Sequence, residues 1–369
     1  MHVLTVTFGY PPQTGGTEQY LADLTAELVR RGHRVTVVAQ RPPGRTEGEV
    51  WRARRWRFLS AVRLAIAAAG RAGQPVDVVH VHAYTRPILL QAVLGARRVP
   101  VVWSLHGGLV QPPDARSRAA RTVMRLFDVA VLPLLVRRVG AFVVLTDVQR
   151  DILVTRYGAA GDRVHRVANM VPADAMASPV APAPVAGRLL ALSRLSLGKR
   201  LEDLVAAVAA DPTLPGADIV GPDGGCRSDL ERAAAAQPAG RVRVLPAAVG
   251  AARLRAIEGS KVVVIPSRAE GQPVVALEAL ASGVPVVASE AAAGALPDVG
   301  VFRYPTGDVV ALVRALHAAC TASTDAQRRA VAEWARRNLQ GVDEHVDRVL
   351  SVYAAAVGVR RRSSKSPQA

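Results

Sequence analysis

Val262-Val-Val-Ile-Pro-Ser-Arg268-Ala-Glu270-Gly271-Gln272-Pro273-Val-Val-Ala-Leu-Glu278-Ala-Leu-Ala-Ser-Gly283-Val-Pro-Val-Val-Ala-Ser289 reads as strand, loop, helix, glycine stop and second strand. Pro273 suits a first helical turn, where its missing N–H is not needed, and Gly283 suits the position just past the helix end. Strand–helix–strand is the unit of a parallel sheet with a right-handed crossover. Two acids stand out. Glu270 lies on the loop before the helix. Glu278 lies within it, flanked by Val275, Ala276, Leu277, Ala279 and Leu280. Burying such an acid is costly unless it finds hydrogen-bond donors, and sugar or ribose hydroxyls are suitable ones. A solvent-facing position for Glu278 and a helix-dipole role for Glu270 would satisfy the same residues.

The alternation continues in both directions. Val3–Thr7, Val35–Ala39, Val76–His82, Val99–Leu105 and Ala141–Leu145 are candidate strands, with helical periodicity over Glu18–Arg31 and Pro87–Arg98. Strands resume at Leu189–Ser193, Ala217–Val220, Val242–Leu245, Val262–Pro266 and Pro285–Ser289. Between the two sets, residues 171–186 read VPADAMASPVAPAPVA, a Pro- and Ala-rich, nearly uncharged stretch that suits a semi-rigid spacer. The expected organisation is an N-terminal doubly wound domain over 1–171, a linker over 172–187 and a second doubly wound domain over 188–335. A C-terminal helix over 336–357 and a basic disordered tail over 358–369 follow. In such folds ligands bind beyond the C-terminal ends of the strands, so two such domains are expected to face one another across a cleft.

Composition bounds the class. The 369 residues exceed the single-core limit of roughly 250–300 residues, which favours two domains. The longest apolar candidate, Val123–Val139, is cut by Arg125, Asp128, Arg137 and Arg138, too charged to span a membrane. Met1–Phe8 reads as a first strand rather than a signal peptide. Two cysteines, Cys226 and Cys320, do not make a disulfide framework, and a reducing cytoplasm suits them. The net charge is +17, carried almost wholly by arginine. A GC-rich genome favours that usage, and a basic surface also favours anionic partners.

Two further loops carry chemistry. Phe8-Gly-Tyr-Pro-Pro-Gln-Thr-Gly15-Gly16-Thr-Glu18 follows the first strand and opens a helix. Its paired glycines let backbone N–H groups approach a phosphate, although a flexible turn would read the same. The spacing is not that of a dinucleotide fingerprint. Ser193-Arg194-Leu-Ser-Leu-Gly-Lys199-Arg200 opens the second half, and from it Arg194 and Lys199 can reach one anionic group. His80 and His82 share one strand face, His106 ends another strand before Gly107, and no Cys or acid accompanies them as a metal ligand. His80 reads as packed in the sheet and His106 as the functional histidine. Trp51–Phe58 interleaves aromatics with arginines and Val123–Arg138 is apolar with basic flanks; both admit peripheral contact with an anionic membrane, and both also fit amphipathic elements packed on a core. No nucleic-acid-binding module is recognised.

Together these segments resemble the GT-B family 4 of retaining glycosyltransferases. The resemblance rests on Glu270 and Glu278 separated by seven residues, with Ser267-Arg268-x-Glu270-Gly271 and Gly283-Val-Pro-Val-Val-Ala288 around them. The Arg194/Lys199 pair, Phe8-x-Tyr-Pro-Pro…Gly15-Gly16-x-Glu18, Asp77-Val-Val-His80-Val-His82 and Trp103-Ser-Leu-His106-Gly107 also fit, in order, over residues 3 to about 300.

The resemblance implies transfer of a sugar from a UDP- or GDP-hexose to a hydroxyl acceptor, with the anomeric configuration retained. Cell-surface glycan, lipid-linked saccharide and natural-product biosynthesis are the settings it suggests. It implies that Gly15 and Gly16 lie by the donor diphosphate and that Arg194 and Lys199 bind and stabilise it as it leaves. Glu278 would hold the ribose hydroxyls. Glu270, with Gly271 and Gln272 after it, would hold the donor sugar, and His106 would line the reaction centre from the first domain. No Asp-x-Asp occurs in the chain, so no metal or other cofactor is expected and Arg194 and Lys199 would supply the positive charge. Two rival readings share the fold: an epimerase or phosphorylase, and a non-catalytic nucleotide-sugar-binding partner. The sequence departs from the family pattern at Ser193, before Arg194, at Gln272-Pro273, and at Ala292–Asp298, which leaves donor-sugar recognition open.

Overall fold

A computed structural model describes residues 1–363 apart from 12, 14, 41–49, 54–56, 83–85 and 107–117. β1 (His2–Thr7), β2 (Arg34–Gln40), β3 (Val50–Ala53), β4 (Val78–His82), β5 (Val101–Ser104), β6 (Ala141–Val144) and β7 (Val164–Arg166) form one parallel sheet in the order 3-2-1-4-5-6-7. The helices of this part are α1 (Gly16–Arg30), α2 (Phe58–Arg71), α3 (Arg86–Ala96), α4 (Arg118–Ala130), α5 (Leu132–Arg138) and α6 (Asp147–Asp151). A second parallel sheet contains β8 (Leu189–Leu192), β9 (Ala217–Val220), β10 (Val242–Leu245), β11 (Val262–Ile265), β12 (Val286–Ser289) and β13 (Val301–Tyr304), in the order 10-9-8-11-12-13. Its helices are α7 (Ala173–Ala177), α8 (Leu201–Ala210), α9 (Arg227–Ala235), α10 (Ala251–Glu258), α11 (Val274–Ala281), α12 (Glu290–Ala293), α13 (Val309–Ala322) and α14 (Asp325–Asn338), and α15 (Val342–Ser363) is the last helix among the described residues. Both orders are doubly wound, with the direction of winding reversing beside β1 and beside β8.

The chain divides into two compact units. One comprises Met1–Gln13, Thr17–Ala168 and the chain from Asp343 onward, and the other Thr14–Gly16 and Asn169–Val342. In the second unit, alternate residues of each strand enter different cores. Leu190, Val263, Ile265, Val286 and Ala288 pack with α11 on one face, while Leu189, Ala191, Val262, Val264 and Val287 pack with α8 and α13 on the other. Burial on both faces is why these strands read as continuous apolar runs.

The first sheet is built differently. Leu4, Val6, Val79, Val81, Trp103 and Phe142 face an apolar core with α2, α3 and α5. The alternate residues Thr5, Thr7, His80, His82 and Ser104 are polar yet buried. Register places Thr5 beside His80 and Thr7 beside His82. Tyr20, Leu21 and Leu24 of α1 and His345, Val349, Val352, Tyr353 and Ala356 of α15 are buried in the same unit, and the Tyr353 hydroxyl meets His80 Nδ1 at 2.6 Å. Arg30 and Arg31 at the end of α1 tie down the start of α15, with Nη2 to Asp343 Oδ1 distances of 2.9 and 3.0 Å. Arg31 also pairs with Asp347.

Two features differ from the reading of the sequence. The segment over 172–187 is more than a spacer: it opens with α7, whose Ala175 is buried in the second unit's core beside Val171. The last helix begins at Val342 rather than 336, runs to Ser363 and packs on the first unit. Its buried residues recur at helical spacing and need an apolar and polar partner surface, which the first sheet's mixed face supplies. Residues 364–369 of the expected tail lie outside the described residues.

Tyr353→Phe removes the hydroxyl partner of a fully buried histidine nitrogen and leaves the ring. An unsatisfied buried polar atom costs about 1–3 kcal/mol. We expect a loss of that size in the first unit's unfolding free energy, read by amide exchange of β4; unchanged protection would show that the bond contributes nothing.

Candidate active site

The second unit brings three crossover loops together where its sheet reverses direction. The first leaves β8. Leu195 N–H donates to Pro222 O at 2.9 Å, and Gly224 N–H donates back to Leu195 O at 2.9 Å. A Cβ at Gly221 would come 1.7 Å from Ser193 O, so only glycine lets these loops lie against each other. Arg194 is exposed on this loop. A 3-10 turn over Leu197–Lys199 then leads, through Arg200 in the left-handed region (φ 48), into α8.

The second loop leaves β11. Arg268 N–H donates to Gly198 O at 2.8 Å, clasping it to the first. Lys199 Nζ meets Glu270 Oε1 at 2.5 Å, and both side chains are mostly buried. The third loop leaves β12: Ser289 Oγ donates to Ser267 O at 2.6 Å and Glu270 N–H to Ala291 O at 3.3 Å. The ammonium and carboxylate, 71 residues apart, thus sit at the tips of neighbouring strands.

Glu278 lies on α11 and is only 2% exposed. Arg253 Nη2 of α10 lies 2.6 Å from its Oε1, and the same nitrogen is 3.9 Å from Asp174 Oδ2 of α7. The buried carboxylate is thus ion-paired with a mostly buried guanidinium, which offsets part of the cost of burying its charge. Arg253 was not singled out in the sequence, because nothing in a short helix of mixed polarity marks one arginine. Gln272 Oε1 accepts from Asn169 N–H at 2.7 Å and its Nε2 donates to Ala295 O at 2.9 Å, so both ends of its amide brace the unit's own backbone. Gly271 is buried beside it. Gly15 and Gly16 are exposed at the start of α1, and an added Cβ at Gly16 would meet nothing within 4 Å.

In the first unit His106 follows β5 after Leu105, and Gly107 lies outside the described residues. His106 Nε2 meets His82 Nδ1 at 2.9 Å. Tyr20 OH meets His345 Nε2 at 2.8 Å, and His345 Nδ1 meets Ala168 O at 2.8 Å. Burial depresses the basicity of this group. His106 and His345 are each lowered from 6.5 to about 4, by burial first, while His80 and His82 fall well below their ordinary value for the same reason. All four are therefore neutral at pH 7. Neither His82 nor His345 was read from the sequence as a partner of the functional histidine. Among the described residues, no group of three or more His, Cys, Asp or Glu side chains is arranged to hold a metal ion.

Comparison with known proteins follows the same division. A family model described as Glycosyltransferase Family 4 matches residues 14–175, and one described as Glycosyl transferases group 1 matches 186–321. The chain belongs to this glycosyltransferase family. No curated protein sequence matches it. Among solved structures it is similar to Anabaena HepE in complex with UDP-glucose, with TM-score 0.72, 18% identity and coverage of 96% of this chain and 100% of that one. It is also similar to sucrose-phosphate synthase from Thermosynechococcus elongatus (TM-score 0.68, 19% identity, coverage 99% and 98%). A third similar structure is α,α-trehalose 6-phosphate synthase from Burkholderia multivorans (TM-score 0.69, 16% identity, coverage 100% and 99%). These likenesses establish the two-domain α/β GT-B fold for this glycosyltransferase.

The buried histidines give the first unit a pH signature. Their folded pKa values lie below 6.5, so the unfolded chain takes up protons first as the pH falls. Stability is fully present above pH 6.5 and declines toward pH 4, by about 1.4 kcal/mol per pH unit for each such histidine. Amide exchange of β1, β4 and β5, corrected for intrinsic rates, is expected to show weaker protection at pH 5 than at pH 7.5. Equal protection would contradict the burial of neutral imidazoles.

Proposed function

We propose that the protein transfers a hexose from a nucleotide-diphosphate sugar to a hydroxyl acceptor with retention of configuration. The observation that carries this reading is the meeting of Lys199 and Glu270 at the point where the second sheet reverses, beside the exposed Arg194. The similar Anabaena protein is recorded with UDP-glucose, which favours UDP as the nucleotide.

In this reading Lys199 and Arg194 bind the diphosphate and stabilise the negative charge that develops as it leaves, the effect expected of preorganised charge in a dry site. Glu270 orients Lys199 and accepts hydrogen bonds from the donor sugar. Glu278 receives the ribose hydroxyls, held by Arg253. Gly15 and Gly16 leave room for phosphate beside the start of α1. The departing phosphate oxygen takes the acceptor's proton on the same face, so no side chain need act as nucleophile and no metal ion is required. The spacing rule for paired glycosidase carboxylates does not apply to Glu270 and Glu278.

Lys199→Met and Arg194→Met each remove a charge-assisted contact of about 1.5–3 kcal/mol, so each is expected to weaken donor binding roughly ten- to hundred-fold. Glu270→Gln lowers turnover more than it lowers affinity for the free nucleoside diphosphate. Calorimetry with UDP and UDP-hexoses, with the anomeric proton of the product read by NMR, tests the set. Unaltered binding and transfer in all three variants would sink the assignment, and product formed without an acceptor would point to an epimerase.

The same reading extends to an anionic membrane surface. Val123, Leu126 and Val129 project from α4 at three-residue spacing, 65%, 62% and 72% exposed, with Leu134 and the arginines 125, 137 and 138 also exposed nearby in the chain. No helix among the described residues is long and apolar enough to cross a membrane. Sedimentation with phosphatidylglycerol vesicles is expected to carry the protein down at low salt, and Leu126→Ser with Val129→Ser to release it. Equal sedimentation of both proteins would remove this partner.

A further inference from the structure

The interior of the first unit places His106 in a cluster of imidazoles and hydroxyls in ring contact, in which the protons of His345 and His82 can be assigned from their partners. His345 Nδ1 faces the Ala168 carbonyl, which only accepts, so that nitrogen carries the proton. His345 Nε2 is then the lone-pair side and accepts from the Tyr20 hydroxyl at 2.8 Å.

His82 is decided by what it lacks. Its Nδ1 meets His106 Nε2 at 2.9 Å, and its Nε2 is fully buried without a hydrogen-bond partner among the described residues. One of the two facing nitrogens must donate. If His106 donated, the proton of neutral His82 would sit on Nε2 as a buried, unpartnered N–H. Orphaned N–H groups are rarer in folded proteins than under-used acceptors, because a stranded donor loses all its solvation. The proton therefore belongs on His82 Nδ1, donating to His106 Nε2. The ring is held there by its neighbours: His80 lies 3.8 Å from His82 between centroids, and Tyr20 stands edge-on to His106 at 5.1 Å.

We propose that His82 is a positioning residue that fixes His106 in the tautomer with its proton on Nδ1, so that His106 meets its ligand as a neutral hydrogen-bond donor to oxygen and not as a general base. The ligand role of His106 rests on its assignment to the reaction centre. The protein part of the inference stands on the first unit alone.

The test separates the two. Protein labelled with ¹⁵N-histidine, without ligand, is examined by long-range ¹H–¹⁵N correlation, with His345 as an internal reference for a ring protonated on Nδ1. The expected result is a pyrrole-type Nδ1 and a pyridine-type Nε2 for both His82 and His106. A pyrrole-type Nε2 on His106 overturns the proposal. In His82→Phe, which keeps a ring and removes the donor, the His106 shifts are expected to move toward the other tautomer and transfer to fall about ten-fold. His82→Asn, which keeps an N–H, is expected to recover part of both. His106 shifts unmoved in His82→Phe also overturn the proposal. Shifts that move while transfer is unchanged leave the positioning intact and remove His106 from the reaction centre.

Discussion

The chemistry of the second unit depends on the pairing of β8 with β11. These strands are neighbours in the sheet, yet their following crossovers wind in opposite directions. The loops after them therefore open side by side. Lys199 and Glu270 occupy those two loops, and the backbone bond from Arg268 to Gly198 keeps them in register. Gly221 adds a second constraint, since any side chain there would collide with the Ser193 carbonyl and lift the Arg194 loop. An ion pair that would be worth little on a surface becomes a fixed feature when both partners are mostly buried and each loop is clasped independently.

The first unit solves a different problem. Its sheet buries polar side chains on one face, and burial of an unpaired polar group is costly. The unit meets that cost with three hydrogen-bonded groups: Ser104 and Tyr353 on His80, His106 on His82, Tyr20 and the Ala168 carbonyl on His345. One of these partners, Tyr353, and one of the histidines, His345, come from α15. Its packing on the first unit thus also brings a hydroxyl to His80 and places His345 beside Tyr20.

Much of this was legible in the residues. Strands buried on both faces announced themselves as apolar runs, and the segment around Glu270 and Glu278 identified the family and the half of the chain that carries the acids. The strands not read, β3, β7 and β13, lie at or next to sheet edges, where one side lacks a partner and arginines interrupt the pattern. The arginine held against Glu278 was not legible, because pairing across α10 and α11 depends on how two helices cross and not on spacing within either. Gln272 was read as facing the donor, and its amide is engaged with Asn169 and Ala295. The segment read as a linker opens with α7 in the second unit's core, and the final helix, read over 336–357, runs from Val342 to Ser363.

By itself, the sequence determined that the chain alternates strand and helix in two halves, that positive charge follows the first strand of the second half, and that two acids flank the start of one helix. Periodicity and turn chemistry are local, and they survive in a linear reading. The tertiary structure alone decided which of these groups meet. Lys199 finds Glu270 across 71 residues, Glu278 finds Arg253, and Tyr353 finds His80 across 273. The proposed tautomer of His106 belongs to the same category, because it follows from which nitrogen of His82 is left without a partner among the described residues, a fact of packing in three dimensions.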